Sequence, residues 1–393
     1  MTATRSISGS ASSEAVVPWR HADWTLLAVT AFLLGSGIVA LWSERVAKGA
    51  DPAILLNRQG IAFALGGLGM IAVMAVDYRS LRQYAPLFYG ATCFLLLAVR
   101  FIGQEVNGIK AWFDFGPLQL QPSELCKVTL VLMLAAFAAE DRAEQLEYNR
   151  FVRCLLLAFL PIGLVMLQPD LGTASTLVAI TMGVLLIARA PVRHIALITA
   201  LSIASVVGIV SSGFLDQYQV ERITSFIDQE GNAAKDSSLS PFEKARKEDL
   251  RRQVKMSKQS VTLGRVTGAG FGKGLTTKGK LVPNQENDFI FSAIAEQFGL
   301  LGSGFILLLY LIVLLRCIRI AQLAPDHMGA LIAVGAATLI AWHVFENVGM
   351  NLGIMPVTGI PLPLVSYGGS ASLAFLLVLG LVQSVHMRRY TRL

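Results

Sequence analysis

Charge is scarce in this chain of 393 residues: 15% are Asp, Glu, Lys or Arg, while 54% are hydrophobic. An ordinary soluble domain carries about 25% charged residues, so that class is excluded. Cysteine is scarce too. Cys93, Cys126, Cys154 and Cys317 fall in or beside apolar stretches, with no C-x-x-C spacing and no neighbouring His. That excludes a disulfide framework or a zinc site and leaves small packing residues. Phosphate-loop signatures are missing: in "TGAGFGKGLTTKGK" Gly272-Lys273 is followed by Gly274 rather than Ser or Thr, and a G-x-G-x-x-G spacing fails at Lys273 or Leu275. No internal repeat of the kind that marks many transporters is visible.

What the chain has is apolar length. About ten windows are long enough, at about 1.5 Å per residue, to cross a hydrocarbon core of about 30 Å. They cover residues 24–43, 60–76, 84–102, 124–139, 152–168, 171–188, 194–214, 300–319, 329–350 and 369–386. The expected fold is therefore an all-α polytopic membrane protein. Residues 1–23 read as a disordered cytoplasmic tail without a signal-peptide cleavage pattern, 24–388 as the ten-helix domain, and 215–287 as a large extracytoplasmic loop within it. The net charge of +7 reflects topology rather than nucleic acid, because Lys and Arg concentrate on the side shared by both termini, which is then cytoplasmic.

Two connections are long. Within 215–287, "SPFEKARKEDLRRQVKMSKQ" opens with Ser240, Pro241 and Glu243, a helix start; the helix is either solvated or laid on an anionic membrane surface. The basic segment after it is either a run of turn glycines or a place where Lys273, Lys278 and Lys280 meet a phosphorylated substrate. The second connection, "GIMPVTGIPLPLVSYGGSAS", is nearly uncharged and too rich in Pro and Gly for a helix. Non-helical backbone at membrane depth survives only where protein buries it or it lines a wet cavity. It reads as a re-entrant outer loop beside a site.

Ionisable residues in or near the spans are costly and hence candidates for function. Lys110 and Asp114 lie in an amphipathic, Trp-anchored loop. Glu124 and Lys127 share a helix face, either as a self-neutralising pair or as part of a site. Asp170 sits in a tight outer turn where it caps the next helix or serves the site. Arg100 ends a span and can snorkel. In "GKLVPNQENDFIFSAIAEQFG", Glu286 and Asp288 stand where a polar loop meets an apolar helix, with Glu296 a turn or two beyond. Asp288 is either an N-cap or a working carboxylate next to a basic loop and a cavity.

The motifs "QPSELCK", "QPDLGT", "GKG" followed by "DFIFSAIAEQFG", and "GIPLPLVSYGGSA" occur in this order. Together they resemble the SEDS family (shape, elongation, division and sporulation), most of all its RodA branch. The resemblance implies a ten-helix peptidoglycan glycosyltransferase of the bacterial cytoplasmic membrane that polymerises lipid II at the outer face, partnered by a class B penicillin-binding protein. It implies Asp288 as the essential residue, a general base for the acceptor hydroxyl. Lys273, Lys127, Lys110 or a divalent cation (magnesium or manganese) would receive the departing undecaprenyl pyrophosphate, and Glu124, Asp170, Glu286 and Ser366 complete the expected substrate site. Where the family usually has Glu, His and Thr before the Asp, this chain has Asn284, Glu286 and Asn287, and Ala111 replaces an Arg. Glu286 restores the lost acid if the segment is extended. A non-catalytic scaffold for a penicillin-binding protein and a precursor transporter are the competing readings.

Overall fold

A computed structural model describes residues 18–106, 109–116, 119–139, 146–191, 193–194, 196 and 241–390. Among the described residues, eleven α-helices run α1 Trp24–Ala47, α2 Ala53–Ala75, α3 Leu81–Ile102, α4 Pro122–Ala138, α5 Tyr148–Met166, α6 Leu171–Ile187, α7 Pro241–Gly264, α8 Leu275–Lys278, α9 Ile290–Leu323, α10 His327–Asn351 and α11 Gly369–Met387. Seven of them (α1, α2, α3, α5, α9, α10 and α11) are long and apolar enough to cross a membrane, and α6 is an apolar helix of 17 residues. The chain is a polytopic helical membrane protein. Nine of the ten expected spans match described helices; the span at 194–214, the tail at 1–17 and the start of the large loop lie outside the described residues.

Local chemistry sets the helix starts. Asp23 Oδ1 accepts from Leu26 N at 3.0 Å, Asp170 Oδ1 from Thr173 N at 2.9 Å and Asp326 Oδ1 from Gly329 N at 2.8 Å, each satisfying an amide with no partner inside its helix. Pro122 and Pro241 occupy first-turn positions, where their missing N–H costs nothing. α11 is the most enclosed of the described helices, with Val378, Val382 and Val385 fully buried, and α4 is also deeply enclosed, with Cys126, Leu130, Leu134 and Ala135 fully buried. α2 and α11 approach closely because Gly380 has no side chain: a Cβ there would stand 2.9 Å from the Met70 carbonyl oxygen.

Two connections depart from the expectation. The loop after α3 is not wholly irregular: Gln104–Val106 (β1), Ile109–Asp114 (β2) and Gln119–Leu120 (β3) form a small antiparallel sheet with Gln104 opposite Trp112 and Phe113 opposite Leu120. The alternation in "IKAWFD" suits a ribbon with two unlike faces. The helix expected just after Asp288 begins at Ile290 and is merged with the span expected at 300–319 into one element broken at Gly299 (φ 69°, ψ −164°). Residues 265–270 fill the break: Leu300 N donates to Arg265 O and Ala269 N to Glu296 O, both at 2.9 Å. A Cβ on Gly299 would lie 2.4 Å from Gly268 N and Val266 O, so only glycine permits the crossing.

The Gly-rich basic segment is thereby explained by backbone packing. Glu296 serves the same junction, its carboxylate accepting from Thr276 N at 2.7 Å and from Thr277 Oγ1 at 2.7 Å. α7 packs on α9 and α10, where Ser257 Oγ donates to Asn351 O at 2.9 Å.

Candidate active site

α2, the strands β2 and β3, the start of α4, the segment just before α9, the loop between α10 and α11 and the start of α11 line a cavity of about 200 Å³. Asp288 and Glu124 line it, together with Arg58 and Gln59 of α2, Trp112 of β2 and Pro361 of the loop between α10 and α11. That loop is regular nowhere from residue 355 to 363. Its buried backbone is satisfied by side chains: Asn347 Nδ2 donates to Ile360 O at 2.7 Å, Tyr310 Oη to Pro363 O, and Leu362 N to Ser366 Oγ at 2.8 Å.

The Asp288 segment is held through three consecutive carbonyls. Glu286 O accepts from Tyr367 N at 2.9 Å, Asn287 O from Ser366 Oγ at 2.6 Å, and Asp288 O from Asn347 Nδ2 at 2.9 Å and Asn351 Nδ2 at 3.1 Å. The N-terminus of α9 is served by another residue: Phe289 is its N-cap position, and Ser292 N donates to Asn351 Oδ1 at 3.1 Å. Phe289, rather than Asp288, thus occupies the N-cap position of α9. A side chain on so fixed a backbone is pre-organised for chemistry.

Glu124 and Lys127 are both buried and paired at 2.7 Å. Lys127 Nζ also lies 3.1 Å from His343 Nε2, and His343 Nδ1 lies 3.2 Å from Pro361 O. An ammonium has only donors, so Nε2 must accept and Nδ1–H must donate, which sets the tautomer. The cavity-lining acid is thereby connected to the cavity-lining loop. Glu124 Oε2 is buried and lacks a hydrogen-bond partner among the described residues.

The other expected site residues lie elsewhere. Asp170 caps α6 and accepts a long contact from Gln121 Nε2 at 3.4 Å, which puts it behind a cavity-lining residue. Ser366 is consumed by backbone contacts. Lys127 is buried beneath the cavity, and Lys110 sits on β2 across from Glu105, outside the lining. Lys273 is exposed on the loop against α1. Glu286 corrects the extended-segment reading: the chain turns between Asn284 and Asp288, with Asn287 N and Asp288 N both bonded to Asn284 O. The Glu286 carboxylate consequently meets α1, with Lys48 Nζ at 3.0 Å and Arg45 Nη2 at 3.3 Å.

The FtsW/RodA/SpoVE cell cycle protein family model matches residues 24–391. This chain belongs to that family, the SEDS proteins. It is 33% identical to stage V sporulation protein E of Bacillus subtilis over 94% of this chain and 98% of that one. It is 32% identical to peptidoglycan glycosyltransferase MrdB of Escherichia coli over 94% of each. Among solved structures, the rod shape determining protein RodA of Thermus thermophilus matches with a TM-score of 0.68 and 32% identity over 95% of this chain and 99% of that one. A chain from a structure described as "Structural coordination of polymerization and crosslinking by a peptidoglycan synthase complex" matches with a TM-score of 0.77 and 33% identity over 94% and 99%.

In this SEDS chain, sequence reasoning missed Arg58, His343, Asn347 and Asn351. Arg58 falls just before the second apolar window and was left out with the flanking loop. The α10 residues had a signal, polar side chains spaced along an otherwise apolar span, which is costly unless each is satisfied.

The Glu286 contact makes a testable statement about pH. Burial pushes its carboxyl up, but its own backbone N–H, Lys48 and Arg45 outweigh burial, so the folded value lies below the ordinary 4.5. A depressed carboxylate contributes stability above its unfolded pKa and loses it as pH falls through the folded value. In Glu286→Gln that contribution is absent. The wild type should melt higher than the variant at neutral pH, and the gap should close in acid, as measured by thermal unfolding in detergent. A gap that persists unchanged in acid would refute the ion-pair account.

Proposed function

We propose that the protein is a peptidoglycan glycosyltransferase that polymerises lipid II at the outer face of the bacterial cytoplasmic membrane during cell elongation, with both termini cytoplasmic. The observation that carries this reading is Asp288, lining a cavity with its backbone held at three successive carbonyls, across from the cation Arg58. Asp288 takes the proton of the acceptor sugar hydroxyl as that oxygen bonds to the donor's anomeric carbon. The bond to undecaprenyl pyrophosphate breaks with its electron pair, and the single displacement inverts the α linkage to β. Arg58, the one Lys or Arg in the lining among the described residues, receives the pyrophosphate in the place expected of Lys273 or Lys110. Glu124 Oε2 accepts a hydrogen bond from a saccharide hydroxyl.

A magnesium or manganese ion would fit only as a companion of the substrate's pyrophosphate. Asp288 and Glu124 provide two carboxylates, one of them already bound to Lys127, and no group of three or more metal ligands occurs among the described residues. No step above depends on it.

A class B penicillin-binding protein is the proposed partner, supported by the likeness to a chain of a peptidoglycan synthase complex. The test is incubation of the purified protein with labelled lipid II and divalent cation, alone and with that partner. Glycan ladders support the assignment. A folded protein that binds the partner but yields no ladder would instead be a scaffold, with Asn284, Glu286 and Asn287 as the departures responsible.

A further inference from the structure

Between α1 and α9 lies a second cavity, an apolar groove of about 570 Å³ that shares no lining residue with the Asp288 cavity. It straddles the break at Gly299. Ala31, Gly35 and Val39, a turn apart on α1, line it together with Phe298, Gly302 and Phe305 of α9. A Cβ on Gly35 would meet nothing within 4 Å, so the space is unfilled. Among the described residues, none that lines the groove is charged.

The groove leads toward the active-site end of α1. One turn past Val39, the Trp42 ring meets Phe271 edge-on at 5.9 Å, and Ser43 Oγ accepts from Gly272 N at 2.9 Å. Lys273 follows, exposed. Aromatic rings and a cation above an apolar channel are the layers met by a lipid whose headgroup is anionic. Two residues before Asp288, Glu286 is held by Arg45 and Lys48 of the same helix end.

We propose that this groove holds the isoprenoid chain of a polyprenyl-pyrophosphate-linked saccharide, with its pyrophosphate at Lys273, and that this lipid supplies the acceptor hydroxyl. The inference rests on the function proposed above. A polymerase joins two membrane-anchored molecules, yet among the described residues the lining of the Asp288 cavity has one Lys or Arg, Arg58, which the leaving group takes. The second lipid needs its own groove and its own cation, with the Asp288 segment between. Small residues alternating with phenylalanines leave recesses suited to a methyl-branched chain.

The test reconstitutes the full chain in phosphatidylethanolamine–phosphatidylglycerol vesicles with a benzophenone-tailed polyprenyl pyrophosphate, and maps the photolabel. Label should fall on α1 and α9 and drop about tenfold (~1.4 kcal/mol) in Gly35→Leu. It should be unchanged in Gly90→Leu, a control where an added Cβ also meets nothing. Lys273→Gln should weaken labelling by the pyrophosphate probe and not by the matching uncharged polyprenol. Label confined to other helices, indifference to Gly35→Leu, or displacement by excess phosphatidylglycerol as readily as by undecaprenyl phosphate would overturn the proposal. Asp288→Asn should label as wild type while making no glycan. A wild type that labels the groove and makes no glycan would overturn the enzymatic reading alone.

Discussion

Asp288→Asn is expected to lower lipid II polymerisation by about 10² to 10⁴-fold, the range for loss of a positioned general base, while the protein remains folded and inserted. The amide is nearly isosteric and cannot take a proton. Three consecutive main-chain carbonyls of the segment are bonded by Tyr367 N, Ser366 Oγ, Asn347 Nδ2 and Asn351 Nδ2, and the substitution leaves those donors in place. Rate should fall with little change in lipid II binding. The measurement is initial rate of glycan formation beside a filter-binding isotherm and a melting curve. A rate within a few-fold of wild type would remove Asp288 from the chemistry, and complementation of a deletion by the variant would point to a scaffold.

The second large effect concerns stability. Lys127→Met should destabilise the protein by about 3–5 kcal/mol, because the buried Glu124 carboxyl would be left without its cation. His343 would lose the donor at Nε2 as well. The double variant Glu124→Gln/Lys127→Met should recover most of the loss, since it removes the uncompensated charge along with the pair. Thermal unfolding of both variants in one detergent reads the difference. Equal destabilisation by the single and double substitutions would mean that packing volume, rather than charge, sets the cost. The double variant should still polymerise poorly, because Glu124 lines the cavity.

These predictions lean on features that sequence reading reaches unequally. Helix positions were legible because the 30 Å hydrocarbon thickness writes itself into run length, and the caps at Asp170 and Pro122 because they act within one turn. The pairing of Glu124 with Lys127 is equally local, three residues apart on one helix. The place of Glu286 was not legible because its partners, Arg45 and Lys48, are about 240 positions away and because the segment turns, which removes the extended geometry on which restoring the lost acid depends. The glycines near Lys273 looked like turns or a phosphate cradle. Their reason, the approach of Gly268 to the broken turn at Gly299, is a backbone contact across the fold.

The sequence by itself determined membrane embedding, the order of helices, family membership and the location of Asp288 at the seam between a polar loop and an apolar helix. Hydropathy and capping are properties of neighbouring residues, and ordered motifs need no coordinates. The tertiary structure alone decided which cation shares the cavity with Asp288, that Asn347 and Asn351 anchor its backbone, that His343 completes the Glu124–Lys127 pair, and that a separate apolar groove lies between α1 and α9. In a low-dielectric interior each buried polar group must find a partner. Which partner it finds depends on how helices remote in sequence are packed.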